Sequence, residues 1–347
     1  MKKKLPFSII IPVFHGGRYL KKALESLGGL DFDKHSFEIL VSGDRNDTLN
    51  RMVVEEVARK NNLHITYIQT DRINRSSRLN EACSQARGDI FVFGDDDCIF
   101  PKNWLNQYHS FFSLNPQAGI VGGVDEMPQT DFAFNKALDY VLTSFLGTGG
   151  QRKGSGFRTG KYYPRLWNMA IHKEVFFATP FDSMNGKLNV FREDLEVHED
   201  VDLAARIEKS GKKIFFSPDI KVTHERNTNS AAFIIRNYQM AATAGTLGIH
   251  TFPHLILSLF SIWISFCCLF ALFSDIGFLP WMWPAAGYGA VLFAGFLDCL
   301  IKTRQMMPSI LTLLLLFVLH YAKGLGFLSG IAKRYKLLSS TAPSNRI

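Results

Sequence analysis

Cysteine is scarce in this 347-residue chain. The five present (Cys83, Cys98, Cys267, Cys268 and Cys299) include no C-x-x-C spacing, which argues against a disulfide framework and a zinc site and fits a reducing, cytosol-facing compartment. No cleaved leader is expected either. Lys2-Lys3-Lys4 ahead of the apolar run Phe7–Phe14 imitates one, but the run is short and Pro12 interrupts it. His15-Gly16-Gly17-Arg18 then follows in place of a small-residue cleavage site, and the segment reads as a buried first strand. The formal charge of +8 calls for an anionic partner. No nucleic-acid module is evident and the basic residues form no recognition helix, so a membrane surface suits the charge better than nucleic acid does.

Charge itself becomes sparse in the last third. Charged residues punctuate the chain up to about residue 250, whereas His250–Gly330 is dominated by Leu, Phe, Ile, Ala and Trp. Water is implied for the first part and lipid for the second. Phe252–Phe273 and Leu279–Ile301 are each long enough to cross the ~30 Å hydrocarbon core as helices. A third apolar segment, 307–329, is expected either to span or to be re-entrant. Two crossings return the chain to the cytosol at Lys302-Thr303-Arg304, as the positive-inside rule requires. The expected organisation is a cytosol-facing catalytic domain over 1–248, a membrane region over 249–335 and a basic, polar tail over 336–347.

The first 125 residues alternate between strand and helix patterns. Strands are expected at Phe7–Val13, Glu38–Ser42, His64–Gln69 and Asp89–Phe93. Helices are expected at Arg18–Leu27, at Leu49–Lys60 and around Leu79, Ala82, Cys83 and Ala86, which fall at i, i+3, i+4 and i+7. Such alternation gives a mostly parallel sheet with helices on its faces, and ligands bind beyond the carboxyl ends of its strands. Gly147–Lys161, rich in glycine and basic residues, reads either as a plain surface loop or as a flap over an anionic ligand.

Three clusters carry chemistry. Asp95-Asp96-Asp97 follows the fourth strand after Gly94. If extended, Asp95 and Asp97 share a face while Asp96 points away. Carboxylates so close repel unless a cation or protons intervene, and Mg²⁺ or Mn²⁺ commonly bridges one or two carboxylates to substrate phosphates. The bland alternative is an acidic turn ahead of Pro101. The second cluster, His198-Glu199-Asp200-Val201-Asp202, marks a helix start, where the dipole favours an ionised carboxylate that can act as general base; a simple acidic first turn looks the same. The third is His224, after an apolar stretch, which is either an ordinary polar residue or a metal ligand.

In order along the chain, Ser8–His15, Glu38–Asp44, Leu79-Asn80 with Ala86–Asp89, Asp95–Asp97 and His198–Leu203 with Arg206 resemble the family 2 glycosyltransferases of the GT-A fold, a Rossmann-like α/β architecture for nucleotide-diphospho-sugars. The match covers about the first 225 residues and rests on five signals in sequence. The resemblance implies an inverting, Mg²⁺- or Mn²⁺-dependent transfer from a nucleotide-diphosphate sugar. It places Asp97, Asp95 and His224 at the metal, Asp200 as base with Glu199 as its rival, and Pro12, Val13, His15, Asp44, Asn80, Asp95 and Asp96 around the donor. Gly43 before Asp44, and His15 where the family usually has Asn, depart from its pattern. The Gln-x-x-Arg-Trp segment of processive synthases is absent from Ala231–Met240. One sugar moved to a lipid-linked or other membrane-bound acceptor is therefore expected, in glycan or cell-envelope polysaccharide assembly. A polyprenyl-phosphate sugar synthase and an inactive nucleotide-sugar-binding membrane scaffold stand as alternatives.

Overall fold

The computed structural model describes residues 6–14, 16–71, 74–150, 152, 162–184, 187–225, 229–249, 251–273 and 283–341. In chain order the elements are β1 (Phe7–Pro12), α1 (Gly17–Gly28), β2 (Phe37–Asp44), α2 (Thr48–Asn61), β3 (Ile65–Thr70), α3 (Arg75–Gln85), β4 (Ile90–Phe93), β5 (Cys98–Ile99), α4 (Trp104–Leu114) and β6 (Ile120–Glu126). There follow α5 (Ala133–Thr143), α6 (Phe145–Thr148), β7 (Met169–His172), α7 (Lys173–Phe177), β8 (Asp182–Met184), β9 (Lys187–Asn189), α8 (Glu199–Lys209) and β10 (Ile214–His224). The chain ends with α9 (Ser230–Leu247), α10 (Thr251–Phe273), α11 (Trp283–Thr303) and α12 (Met306–Thr341). These form two compact units, one of Met1–Pro128 with Gln151–Arg226, the other of Gln129–Gly150 with Asn227–Ile347.

The first unit is built on an eight-stranded sheet of order β3-β2-β1-β4-β7-β6-β10-β5. Its first half is parallel, as the β–α alternation requires. β7 then inserts antiparallel between β4 and β6, and β10 runs parallel to β6 with β5 antiparallel on its far side. Every residue of β1 is buried, because both faces are covered. Ile9 and Ile11 join α1, α2 and α4 in one core; Ile10 joins Leu79, Phe91, Phe93, Phe176 and Leu203 in the other. In α1 the buried residues are Leu20, Ala23, Leu24 and Leu27, a single helical stripe. Asp47 and Asn74 cap α2 and α3 by accepting from the N–H of Asn50 and Ser77.

The second unit is helical. Ala137, Leu138 and Val141 of α5 pack with Phe233, Cys299, Leu315, Leu316 and Leu319. A Cβ on Gly326 or Gly330 of α12 would lie 2.3 Å from Tyr238 O or 2.0 Å from Ala242 O. Glycine thus lets α9 and α12 approach backbone to backbone. Among the described residues, two helical stretches are long and apolar enough to cross a membrane, Pro284–Thr303 and Met306–Lys336. The third apolar segment, left open by the sequence, is therefore part of one unbroken 36-residue helix. The expected Phe252–Phe273 span coincides with α10 (Thr251–Phe273), of which Phe252–Cys267 meets the apolar criterion together with Ser230–Leu247 of α9. The start of the expected 279–301 span lies outside the described residues.

Candidate active site

The functional side chains gather where the sheet ends. Asp95, Asp96 and Asp97 follow β4, but 96–97 form a turn, not a continued strand. Strict alternation of faces therefore does not hold, and the three carboxylates go to three partners. Asp96 Oδ2 accepts from the backbone N–H of Phe14 (2.7 Å) and Gly16 (3.2 Å), which holds the loop after β1 against the site. Asp95 pairs with the Arg75 guanidinium, so the structure gives it to an arginine where the sequence reading gave it to a cation. Burial pushes the Asp95 carboxyl up, Arg75 opposes this, and Asp97 adds to the rise. Asp97 turns to His224, with Oδ1 3.0 Å from Nε2.

His224 ends β10, opposite Cys98 of β5. Its Nδ1 lies 3.5 Å from Asp125 Oδ2, and Asp125 Oδ2 is 2.5 Å from Arg152 Nη1. Trp167 packs beside the imidazole at 5.6 Å between ring centroids, with the Arg152 guanidinium 4.3 Å over the indole. Burial alone would push His224 down, but the two carboxylates outweigh it and raise its pKa to about 9. The pocket therefore favours a positive charge between Asp97 and Asp125.

A divalent cation fits that preference. Asp97 Oδ1 is buried and makes no hydrogen bond, so its close approach to Nε2 is too bent for one. Ligands about 2.1 Å from an ion on adjacent octahedral corners stand about 3.0 Å apart, the spacing observed here. Cys98 Sγ is the third group in reach. Burial holds its thiol proton on well above the ordinary range, and a hard cation prefers oxygen. Asp97 and His224 are the pair that suits Mn²⁺ or Mg²⁺.

The acidic start of α8 faces the same cluster. His198 adopts a left-handed conformation (φ 69°) at the N-cap, and the next two carboxylates diverge. Glu199 Oε1 lies 3.3 Å from Arg75 Nε; burial raises its carboxyl despite Arg75. Asp200 Oδ1 is 3.1 Å from Arg165 Nη1, and its Oδ2 accepts from Leu166 N–H at 3.4 Å. Arg75 thus links the aspartate turn to the helix start, and Arg165 holds the neighbouring carboxylate.

Other expected site residues are placed as follows. Pro12 ends β1, and Val13 is buried with its carbonyl accepting from Arg78, whose guanidinium stands 4.6 Å over Phe14. Asp44 ends β2 and accepts from the Asn46 N–H at 2.7 Å. Asn80 departs from expectation: its Oδ1 accepts from Phe191 N–H and its Nδ2 donates to Phe191 O, both at 2.9 Å. That carboxamide is spent on the 190–191 backbone, so it shapes a wall and offers no free polar group. His15 lies outside the described residues. Sequence reasoning missed Arg75, Arg165, Asp125 and Arg152. The one local hint was two arginines, Arg75 and Arg78, in the first turn after a capping Asn74.

Residues 5–241 match the family model described as glycosyltransferase-like family 2. The chain belongs to that family. Among its relatives, a Methanococcus voltae protein named dolichyl N-acetyl-α-D-glucosaminyl phosphate 3-β-D-2,3-diacetamido-2,3-dideoxy-β-D-glucuronosyltransferase is 26% identical over 336 residues, covering 94% of this chain and 97% of that protein. The poly(ribitol-phosphate) β-N-acetylglucosaminyltransferase TarS of Staphylococcus aureus is 28% identical over 125 residues, 34% of this chain and 22% of TarS. Among solved structures, the Pyrobaculum calidifontis mannosyltransferase PcManGT in complex with GDP-Man and Mn²⁺ superposes with TM-score 0.55 at 14% identity, covering 96% of this chain and 88% of that one. The fold is GT-A, and as a family 2 glycosyltransferase the chain is an enzyme. Its parallel β1–β4 half was legible from sequence, and the aspartate turn and the α8 start lie together at the strand ends.

Proposed function

We propose that this glycosyltransferase moves one sugar, with inversion, from a nucleoside-diphosphate donor to a lipid-linked acceptor, with a divalent cation held by Asp97 and His224. The observation that carries the reading is the cluster in which the Asp97–His224 pair and the Glu199-Asp200 start of α8 are joined through Arg75 and Asp95. Opposite charge requirements meet there: an anionic leaving group on one side and a hydroxyl to be deprotonated on the other. Asp200 takes the acceptor proton as the hydroxyl oxygen bonds to the anomeric carbon and the bond to the diphosphate breaks. Arg165 and the Leu166 N–H hold that carboxylate in place at the start of α8. Glu199, committed to Arg75, supports the donor side. The loop after β1, fixed by Asp96, and Asp44 at the end of β2 frame the nucleotide. A cation held by Asp97 and His224 would supply positive charge for the diphosphate oxygens.

The acceptor class is supported by the end-to-end likeness to the M. voltae enzyme, whose name gives a dolichyl-linked sugar phosphate. The apolar helices of the second unit support membrane residence, and with α10 and α11 both crossing, a cytosolic catalytic unit returns Lys302 and Arg304 to the cytosol, as the positive-inside rule favours. The test is a panel of UDP-, GDP- and dTDP-sugars offered to the full chain with Mn²⁺ or Mg²⁺. Lipid-linked saccharide and free polyprenyl phosphate serve as rival acceptors. Metal-dependent transfer to the saccharide with inverted anomeric configuration is expected. Retention, metal independence or exclusive use of polyprenyl phosphate each removes the corresponding part of the proposal.

A further inference from the structure

Asp125 is the most deeply buried carboxylate of the site, with no exposed surface. An ion of this kind costs several kcal/mol to bury unless its partners compensate. Arg152 is one partner. The register of the sheet supplies another. β6 and β10 run parallel with Asp125 opposite Val222, and His224, two residues further on, shares the face of Val222. The strand pair therefore delivers the Asp125 carboxylate to the imidazole edge remote from Asp97. His224 Nδ1 is buried without a hydrogen bond, and Asp125 Oδ2 at 3.5 Å is the carboxylate oxygen that faces it. Trp167 packs on the ring and limits its rotation.

We propose that Asp125 is a positioning residue for the metal site: it receives Nδ1–H of His224, and so leaves the Nε2 lone pair directed at the cation shared with Asp97. Imidazoles that ligate metals usually donate their other N–H to a carboxylate or carbonyl, which fixes tautomer and ring angle. The inference rests on the cation reading above. It adds a residue that touches neither donor nor acceptor, and it separates two roles for Asp125, since pairing with Arg152 alone would make it structural.

The experiment titrates Mn²⁺ alone into the full chain in detergent micelles and follows free Mn²⁺ by its paramagnetic resonance signal. Asp125→Asn keeps the shape of the side chain and is expected to weaken binding about 10- to 100-fold, at unchanged stoichiometry. Arg152→Gln removes the other partner and is expected to leave affinity within about twofold. Equal losses in both variants, or wild-type affinity in folded Asp125→Asn, overturn the proposal. Absence of saturable Mn²⁺ binding by the wild type overturns the cation reading and this inference together. If Asp125→Asn does not fold, ¹⁵N-histidine NMR of the Mg²⁺-loaded wild type decides the matter, with His224→Gln assigning the signal. A protonated Nδ1 supports the role, and a protonated Nε2 refutes it.

Discussion

Asn168 is expected to be the polar residue on which the site's scaffold depends. It is 1% exposed, and its carboxamide makes four hydrogen bonds. Oδ1 accepts from Trp104 Nε1 (2.9 Å) and Tyr108 OH (2.8 Å), while Nδ2 donates to Val124 O (2.9 Å) and Ile220 O (3.0 Å). It thereby ties α4 to β6 and β10, next to Asp125 and within the strand that ends at His224. Asn168→Ala strands four buried partners at about 1 kcal/mol or more each, a loss of about 4 kcal/mol. For a unit of this size that corresponds to a fall in Tm of about 8–16 °C, read by tryptophan fluorescence of the purified chain. Asn168→Asp keeps both acceptances but sets a carboxylate against two carbonyls. Its folded pKa must then rise above the unfolded value of about 3.9. The variant is accordingly most stable below that value, where its protonated carboxyl still donates to one of the two carbonyls, and loses further stability as pH rises through the folded pKa. A melting temperature within about 2 °C of wild type for Asn168→Ala, or a pH-independent deficit for Asn168→Asp, would refute the assignment.

The remaining predictions concern chemistry, charge and packing. Asp97→Ala should lose transfer and weaken metal-dependent donor binding. Asp200→Asn should lose transfer by about 10²–10⁴-fold with donor affinity retained, and equal binding losses in the two variants would contradict these roles. Chelation should abolish transfer, and Mn²⁺ should restore it better than Mg²⁺ because the ligand pair includes an imidazole; restoration by Mg²⁺ alone would contradict this. Glu38 is pushed up by burial, but the Arg87 N–H, Ser8 hydroxyl and Arg87 guanidinium outweigh that and lower its pKa. Its stabilisation is therefore present above the unfolded carboxyl pKa and lost as pH falls through the folded one. Glu38→Gln should cost about 1–3 kcal/mol at neutral pH and flatten the acid limb of a melting-temperature profile. In the second unit, Gly330→Leu should separate α9 from α12, because even its Cβ would stand 2.0 Å from Ala242 O; a wild-type melting profile in detergent would argue that the contact is not needed.

Local pattern made half of the fold legible. β1 to β4 are buried on both sides and bounded by helix starts, so their apolar runs and the stripes on α1 and α3 were readable without long-range knowledge. The other half was not, because β7 runs antiparallel between β4 and β6, and β10 returns beside β6 and β5 from far along the chain. No periodicity announces which distant strands will be neighbours. The same limit governs the site. Asp97 stands out by local motif, whereas Asp200 and His224 gain weight only from the order of motifs along the chain. Asp125, Arg152 and Arg165 are single charges whose meaning arises only when β6 meets β10 and the Arg165–Asn168 turn meets α8.

The pairing of Asp95 with Arg75 has an equally local cause. A turn at 96–97 breaks the two-residue period, and Arg75 supplies the positive charge that a cation would otherwise have supplied. The cluster consequently divides its negative charge between two kinds of counterion. Arg75 and Arg165 are guanidiniums, and they pair with Asp95, Glu199 and Asp200. The charge between Asp97 and Asp125 falls instead to His224, whose proton a divalent cation can displace. On the roles proposed above, Arg165 holds Asp200 while the exchangeable charge sits toward the leaving group, so the donor side would load and release its diphosphate without loosening the carboxylate at the acceptor.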